Sequence, residues 1–151
     1  MAELQFQWLD MNRPSDSEDK RSATVAPVEQ LRWVRHDDEY ETAILSGDPE
    51  KPGGFYVMRY RILVACDVAP HWHPEDEHAT VIAGELSLGL GDNFVAEALQ
   101  TLKAGSYALI PRGQPHFTRY AAGTVVQVHG IGPLVVKYLE PDKAVGKEDG
   151  E

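Results

Sequence analysis

From residue 55 to 65 the chain alternates with a period of two. Tyr56, Met58, Tyr60, Ile62 and Val64 fall on one side of an extended segment, and Phe55, Val57, Arg59, Arg61 and Leu63 on the other. Successive side chains of a strand point to opposite faces, so this is the pattern of a half-buried strand. Elsewhere, short runs rich in Val, Ile, Leu, Tyr and Phe stand between Gly, Pro and Asp, as in a meander of strands. They predict further strands over 30–35, 40–46, 78–83, 85–90, 93–97, 106–110, 115–121, 124–130 and 134–139, with a turn-rich stretch at 46–54. No window shows a sustained helical period with caps, and only 95–102 is ambiguous. The sequence carries no repeat of fixed period. The expected class is all-β, a double-sheet jelly-roll barrel.

A chain of 151 residues suits one domain with a single sizeable core. It divides into an N-terminal extension (1–29), a barrel (30–141) and a charged, Gly-containing tail (142–151) that is expected to fray. The extension is expected to be partly flexible, because 11–23 is almost devoid of apolar groups. Asp and Glu number 24 against 14 Lys and Arg, a formal net charge of -10. Such a surface repels nucleic acid and anionic membrane alike, so neither is an expected partner and a small-molecule ligand is favoured. Cys66 is the only cysteine, which excludes an intrachain disulfide. Residues 1–10 lack the basic start and long apolar run of a signal peptide, and no apolar stretch reaches membrane-helix length, so a cytoplasmic protein is expected.

Two stretches carry metal-ligand side chains. The first reads His71-Trp72-His73, three residues, Glu77, six residues, Gly84; the second reads Gly105, five residues, Pro111-Arg112-Gly113, two residues, His116. In an extended strand His71 and His73 share a side while Trp72 takes the other. Pro74-Glu75-Asp76 reads as a turn that brings Glu77 back beside the two imidazoles, and Pro111-Arg112-Gly113 as one that delivers His116. Three imidazoles and a carboxylate suit one divalent transition metal per chain. Imidazole favours Zn, Cu, Fe or Ni and a carboxylate also admits Mn, so the metal's identity stays open. A single His-X-His on a strand is more often a packing or surface feature; it is the second motif that turns the reading toward a metal. If the strand starts one residue differently, His78 takes the place of Glu77 as the fourth ligand.

Further polar groups have two readings each. Gln127 and His129 share a face of the strand around Val125, among residues suited to burial. Either that face meets solvent, or it lines a polar cavity in which Gln127 contacts substrate and His129 acts as acid or base. Tyr120 shares a face with His116 and is a weaker catalytic candidate. Arg59 and Arg61 either line a solvated face or reach a barrel mouth to bind a carboxylate. His36, in the charged run Arg35-His36-Asp37-Asp38-Glu39, reads as solvated.

Together, the two ligand stretches resemble the two sequence motifs of the cupin superfamily, over roughly residues 53–139. Ala65 and Tyr120 stand where that family usually has Gly and Asn, and neither position is a metal ligand there. The resemblance implies a double-stranded β-helix barrel in which His71, His73, Glu77 and His116 hold the metal. For function it implies a metal-dependent enzyme, most concretely an Fe(II) dioxygenase acting on a small oxygenated organic substrate, otherwise an isomerase or decarboxylase. The alternative is a non-catalytic small-molecule or metal-binding sensor or regulatory cupin. The family also commonly dimerises through N-terminal strands, which 28–46 would supply here, so a homodimer is expected.

Overall fold

The computed structural model describes residues 21–140. Most of the polar run 11–23 and all of the 142–151 tail lie outside the described residues. Residues 21–27 have no regular secondary structure.

The described residues form eleven strands: β1 (Val34–His36), β2 (Tyr40–Ser46), β3 (Phe55–Ile62), β4 (Cys66–Trp72), β5 (Glu77–Ala83), β6 (Glu85–Leu90), β7 (Gln100–Lys103), β8 (Tyr107–Ile110), β9 (His116–Tyr120), β10 (Val125–Ile131) and β11 (Lys137–Tyr138). They build a six-stranded sheet in the order β1-β2-β3-β10-β5-β8 and a five-stranded sheet in the order β11-β4-β9-β6-β7. Every pairing is antiparallel. The protein is an all-β double-stranded β-helix, the jelly-roll architecture. Among the described residues no helix is long and apolar enough to cross a membrane.

Alternation decides what each strand buries. Along β3, Tyr56, Met58 and Ile62 are buried, whereas Phe55 and Arg59 turn to the other face. Tyr56 and Met58 meet Ala79 and Val81 of β5, Val126 and Val128 of β10 and Leu86 of β6 in one apolar cluster between the sheets. Full burial of a Val, Leu or Met side chain contributes roughly 1.5–3 kcal/mol, so this cluster is the main source of cohesion. A satellite lies outside the five-stranded sheet. There Phe117, fully buried, packs on Phe94 with ring centroids 4.9 Å apart, and a Cβ at Gly89 would come within 2.1 Å of the Phe117 ring. Gly84 makes the turn from β5 to β6 at φ +75°, and a Cβ there would meet the Thr124 backbone at 2.6 Å.

The strand pattern departs from expectation in four places. The first strand begins at Val34, because Val28–Gln30 after Pro27 form a single 3-10 turn. β4 carries Asp67 and Pro70, which break the apolar run by which a strand is recognised. The expected strand at 93–97 is a loop leading into a 3-10 turn at Ala96–Ala98, and the pairing falls to β7 instead. The segment 134–139 is mostly irregular, with pairing limited to Lys137 and Tyr138.

β4 also contains the irregularity that orients the site. Val68 pairs with Thr118 and His71 with His116, so three steps along β4 match two along β9. This bulge falls beside Pro70, which has no N–H to give to a ladder. It shifts the strand's phase by one residue, so that Val68, His71 and His73 all line the space between the sheets.

Candidate metal centre

His71 sits near the end of β4, His73 just beyond it, Glu77 at the start of β5 and His116 at the start of β9. One ligand nitrogen from each of the three histidines lies within 4.8 Å of the others. Their ring centroids are 4.1 Å apart for His71 and His116, 5.0 Å for His73 and His116, and 5.2 Å for His71 and His73. All three rings are buried.

Each ring is oriented through Nδ1, which lies 2.7 Å from the Ala69 carbonyl in His71, 2.8 Å from that of Val135 in His73 and 3.0 Å from that of Gln114 in His116. A carbonyl can only accept, so Nδ1 carries the hydrogen, and in a neutral imidazole Nε2 then presents a lone pair. Burial keeps the imidazoles neutral: it pushes His116 down to about 3, helped by neighbouring His71, and His71 down to about 4, and it lowers His73. Three oriented neutral donors thus face one point, the arrangement in which outer hydrogen bonds hold metal-ligating histidines.

Glu77 is buried, and burial alone pushes its carboxyl up to about 7. Its Oε2 lies 3.4 Å from His73 Nε2. That contact is not an ion pair, since burial holds His73 neutral. His73 Nε2 has no hydrogen-bond partner despite being buried. An orphaned nitrogen beside a carboxylate without a counter-charge is costly in a metal-free protein and is relieved by a divalent cation. The donor set fits a transition metal, with the three imidazoles as the assembled group and the carboxylate next to it.

The site opens into a cavity of about 540 Å³ between the sheets. Tyr120 lines it on the same face of β9 as His116, and burial raises its phenol well above the usual range. Thr118, between them on that face, is 4 % exposed, and its Oγ1 interacts with the Tyr120 phenol without a well-formed hydrogen bond. Tyr60 and Tyr138 also line the cavity, and the Tyr138 ring lies 5.7 Å from that of His71. Tyr60 and Thr118 are reachable from alternation, as members of the 56–64 and 116–120 series. Tyr138 has no local signal, because only pairing of β11 with β4 brings it to His71.

Other expected site residues lie elsewhere. His78 follows Glu77 and therefore points out of the barrel, where its Nδ1 meets the Tyr107 hydroxyl at 2.7 Å; it does not replace Glu77. His129 and Gln127 also belong to the outer face, because Val126, Val128 and Gly130 take the inward positions of β10. The His129 ring stacks on His78 at 4.8 Å and lines an outer hollow of about 360 Å³. Gln127 accepts a 3.0 Å hydrogen bond from Arg59 Nε. The reading of His129 as acid or base beside the metal, and of Gln127 as a substrate contact, is therefore corrected. Arg61 is also outside, paired with Glu41 and lying over the Trp33 ring at 4.2 Å. His36 is packed rather than solvated, stacked on Tyr40 with Nε2 2.8 Å from Thr42 Oγ1.

Comparison with known proteins agrees with this geometry. The cupin-domain family model matches residues 59–130. No curated protein matches the sequence. Among solved structures, the polyketide cyclase RemF from Streptomyces resistomycificus is similar with a TM-score of 0.62 at 18% identity, over 82% of this chain and 89% of its own. KdgF from Halomonas sp. gives 0.56 at 13% identity over 80% and 98%. An RmlC-like cupin from Shewanella frigidimarina gives 0.56 at 15% identity over 74% and 93%. With its double-stranded β-helix and a histidine group supplied by both motifs, the chain carries a cupin domain over residues 59–130.

Proposed function

We propose that this chain is a metal-dependent enzyme acting on a small organic substrate held in the barrel, with dioxygenase-type chemistry on an oxygenated substrate as its specific form. The observation that carries this reading is the convergence of three neutral imidazoles on a cavity of about 540 Å³. A structural site closes its coordination shell with protein, whereas here the donors face space sized for a ligand.

His71, His73 and His116 would hold the metal through Nε2, and the Glu77 carboxylate would be the fourth donor. Bound there, the metal supplies Lewis acidity and, if it is iron, manganese or copper, redox capacity. The Nδ1-to-carbonyl bonds keep the imidazoles from rotating away when substrate enters. The Tyr120 phenol stays protonated through the neutral range and is a hydrogen-bond donor toward a substrate oxygen. The apolar walls exclude water from the reacting groups.

Metal analysis of protein purified without chelator, beside His116→Ala, tests the reading. About one Fe, Mn, Ni, Cu or Zn per chain is expected, falling more than about tenfold in the variant, as loss of a ligand requires. Oxygen consumption with small vicinal diols and diketones then tests the dioxygenase form. Absence of metal together with failure to take any up on reconstitution overturns the enzyme reading.

A further inference from the structure

The cavity's lining selects its ligand. Among the described residues it includes no Lys or Arg: Arg59 and Arg61, on the strand that crosses it, are turned outward to Gln127 and Glu41. Its charged members are acids only. Glu77 lies at the metal end, Asp67 is already tied to Arg119 at 2.6 and 2.8 Å, and Glu39 is an exposed contributor. A carboxylate or phosphate placed away from the metal would lose its water and gain no counter-charge.

Most of the rest is aliphatic or aromatic, with Met58, Ile62, Leu86, Leu88, Val126 and Leu134 among the walls. Four tyrosine rings, Tyr40, Tyr60, Tyr120 and Tyr138, add flat surface. Several of the polar groups in the lining are already engaged, Thr42 with His36 and Asp67 with Arg119, so the many hydroxyls of a sugar would not all find partners. Two of the polar groups in the wall stand together. The Thr118 hydroxyl is buried two residues from His116 on the same face of β9, and it interacts with the neighbouring Tyr120 phenol without a well-formed hydrogen bond. A ligand oxygen in the cavity would complete the hydrogen bonding of this buried pair of hydroxyls.

Resting on the metal-enzyme reading, we infer that the substrate is an uncharged, ring-bearing, largely apolar compound, with one oxygen directed to the metal end and another held by the Thr118 and Tyr120 hydroxyls. Thr118 is a specificity-determining residue on this assignment.

The test is calorimetric titration of 2,3-dihydroxynaphthalene, naphthalene, 2-naphthoate and glucuronate into metal-free and Zn(II)-loaded protein. The metal-free arm reads the lining alone, because both diol and carboxylate can ligate zinc. The diol is expected to bind at least about tenfold more tightly than 2-naphthoate or glucuronate in both forms. Thr118→Val is expected to weaken the diol about fivefold or more while leaving naphthalene unchanged, and Thr118→Ser to restore it. Equal or tighter binding of either acid to the metal-free protein overturns the substrate class, as does failure of every probe to bind at millimolar concentration. Equal weakening of diol and naphthalene by Thr118→Val overturns the role of the hydroxyl. Failure of Zn(II) uptake with the diol preference intact overturns the metal reading and leaves this one standing.

Discussion

His71, His73 and His116 each have one ring nitrogen bound to a backbone carbonyl and the other free, and this equips them to hold a metal and makes them a source of acid sensitivity. In the metal-free protein, His71 and His116 have folded values of about 4 and about 3, below the ordinary 6.5. The unfolded chain therefore takes up protons first as pH falls. Their contribution to stability is complete above about 6.5 and is lost as pH drops toward 4, a change on the order of a few kcal/mol. Glu77 works the other way: its folded value of about 7 lies above the ordinary 4.5, so its contribution is present below 4.5 and lost as pH rises through 7. The urea midpoint of chelator-treated protein is expected to fall between pH 6.5 and 4. Glu77→Gln, which cannot ionise, should raise that midpoint at pH 8 and steepen the acid loss; an unchanged or lower midpoint at pH 8 would contradict the assignment of Glu77 as a buried, unpaired carboxyl. The four positions proposed as ligands were read from a spacing that matches strand and turn geometry, and the three histidines among them converge. Their orienting partners are only partly legible in the sequence: Ala69 and Gln114 lie two residues away, but Val135 is 62 residues from His73 and is found only in the fold.

At the scale of the element, strands with clean alternation were readable and strands interrupted by polar or special residues were not. β3 declares itself through Tyr56, Met58, Tyr60 and Ile62. β4, the strand that carries His71 and leads into His73, is disguised by Asp67 and Pro70, and its bulge contradicts simple parity, since without the extra residue Val68 and His71 could not both face inward. β10 shows the converse. Its alternation is regular, but nothing local says which face is the inner one, and pairing with β3 and β5 settles it in favour of Val126 and Val128. Close approach of elements also sets residue size. Gly89→Ala would drive a Cβ into the Phe117 ring, and overpacking of this kind costs about 1–3 kcal/mol. A drop of that order in urea-derived stability, with metal content retained by the folded fraction, is the expected result; an unchanged stability would mean that Phe117 and Phe94 repack freely.

At the scale of the molecule, the six-stranded sheet ends at β1, a free edge among the described residues, with Val25, Val28 and Val34 exposed along and before it. Exposed edges invite pairing, so we propose this surface as the place where the expected homodimer would form. Light scattering at micromolar concentration should give twice the chain mass, and Val34→Lys should shift it toward the monomer; a monomeric mass for the unaltered protein would count against the dimer. The same large sheet separates two environments. Its inner face closes the cavity, while its outer face carries Arg59, Arg61, Gln127, His78 and His129, the polar groups that sequence alone left between a site and a solvated surface.

The all-β class and the three histidines that converge could be read from the chain alone, because period-two patterning, turn residues and histidine spacing are local properties. Which groups share the cavity with those histidines depends on how the sheets pack. Strand parity leaves two faces equivalent until sheets pack, and a single bulge reverses it. Hence His71 and His73 turn inward together with Val68, His129 and Gln127 turn out, and Thr118 meets Tyr120 in a cavity closed by strands distant along the chain.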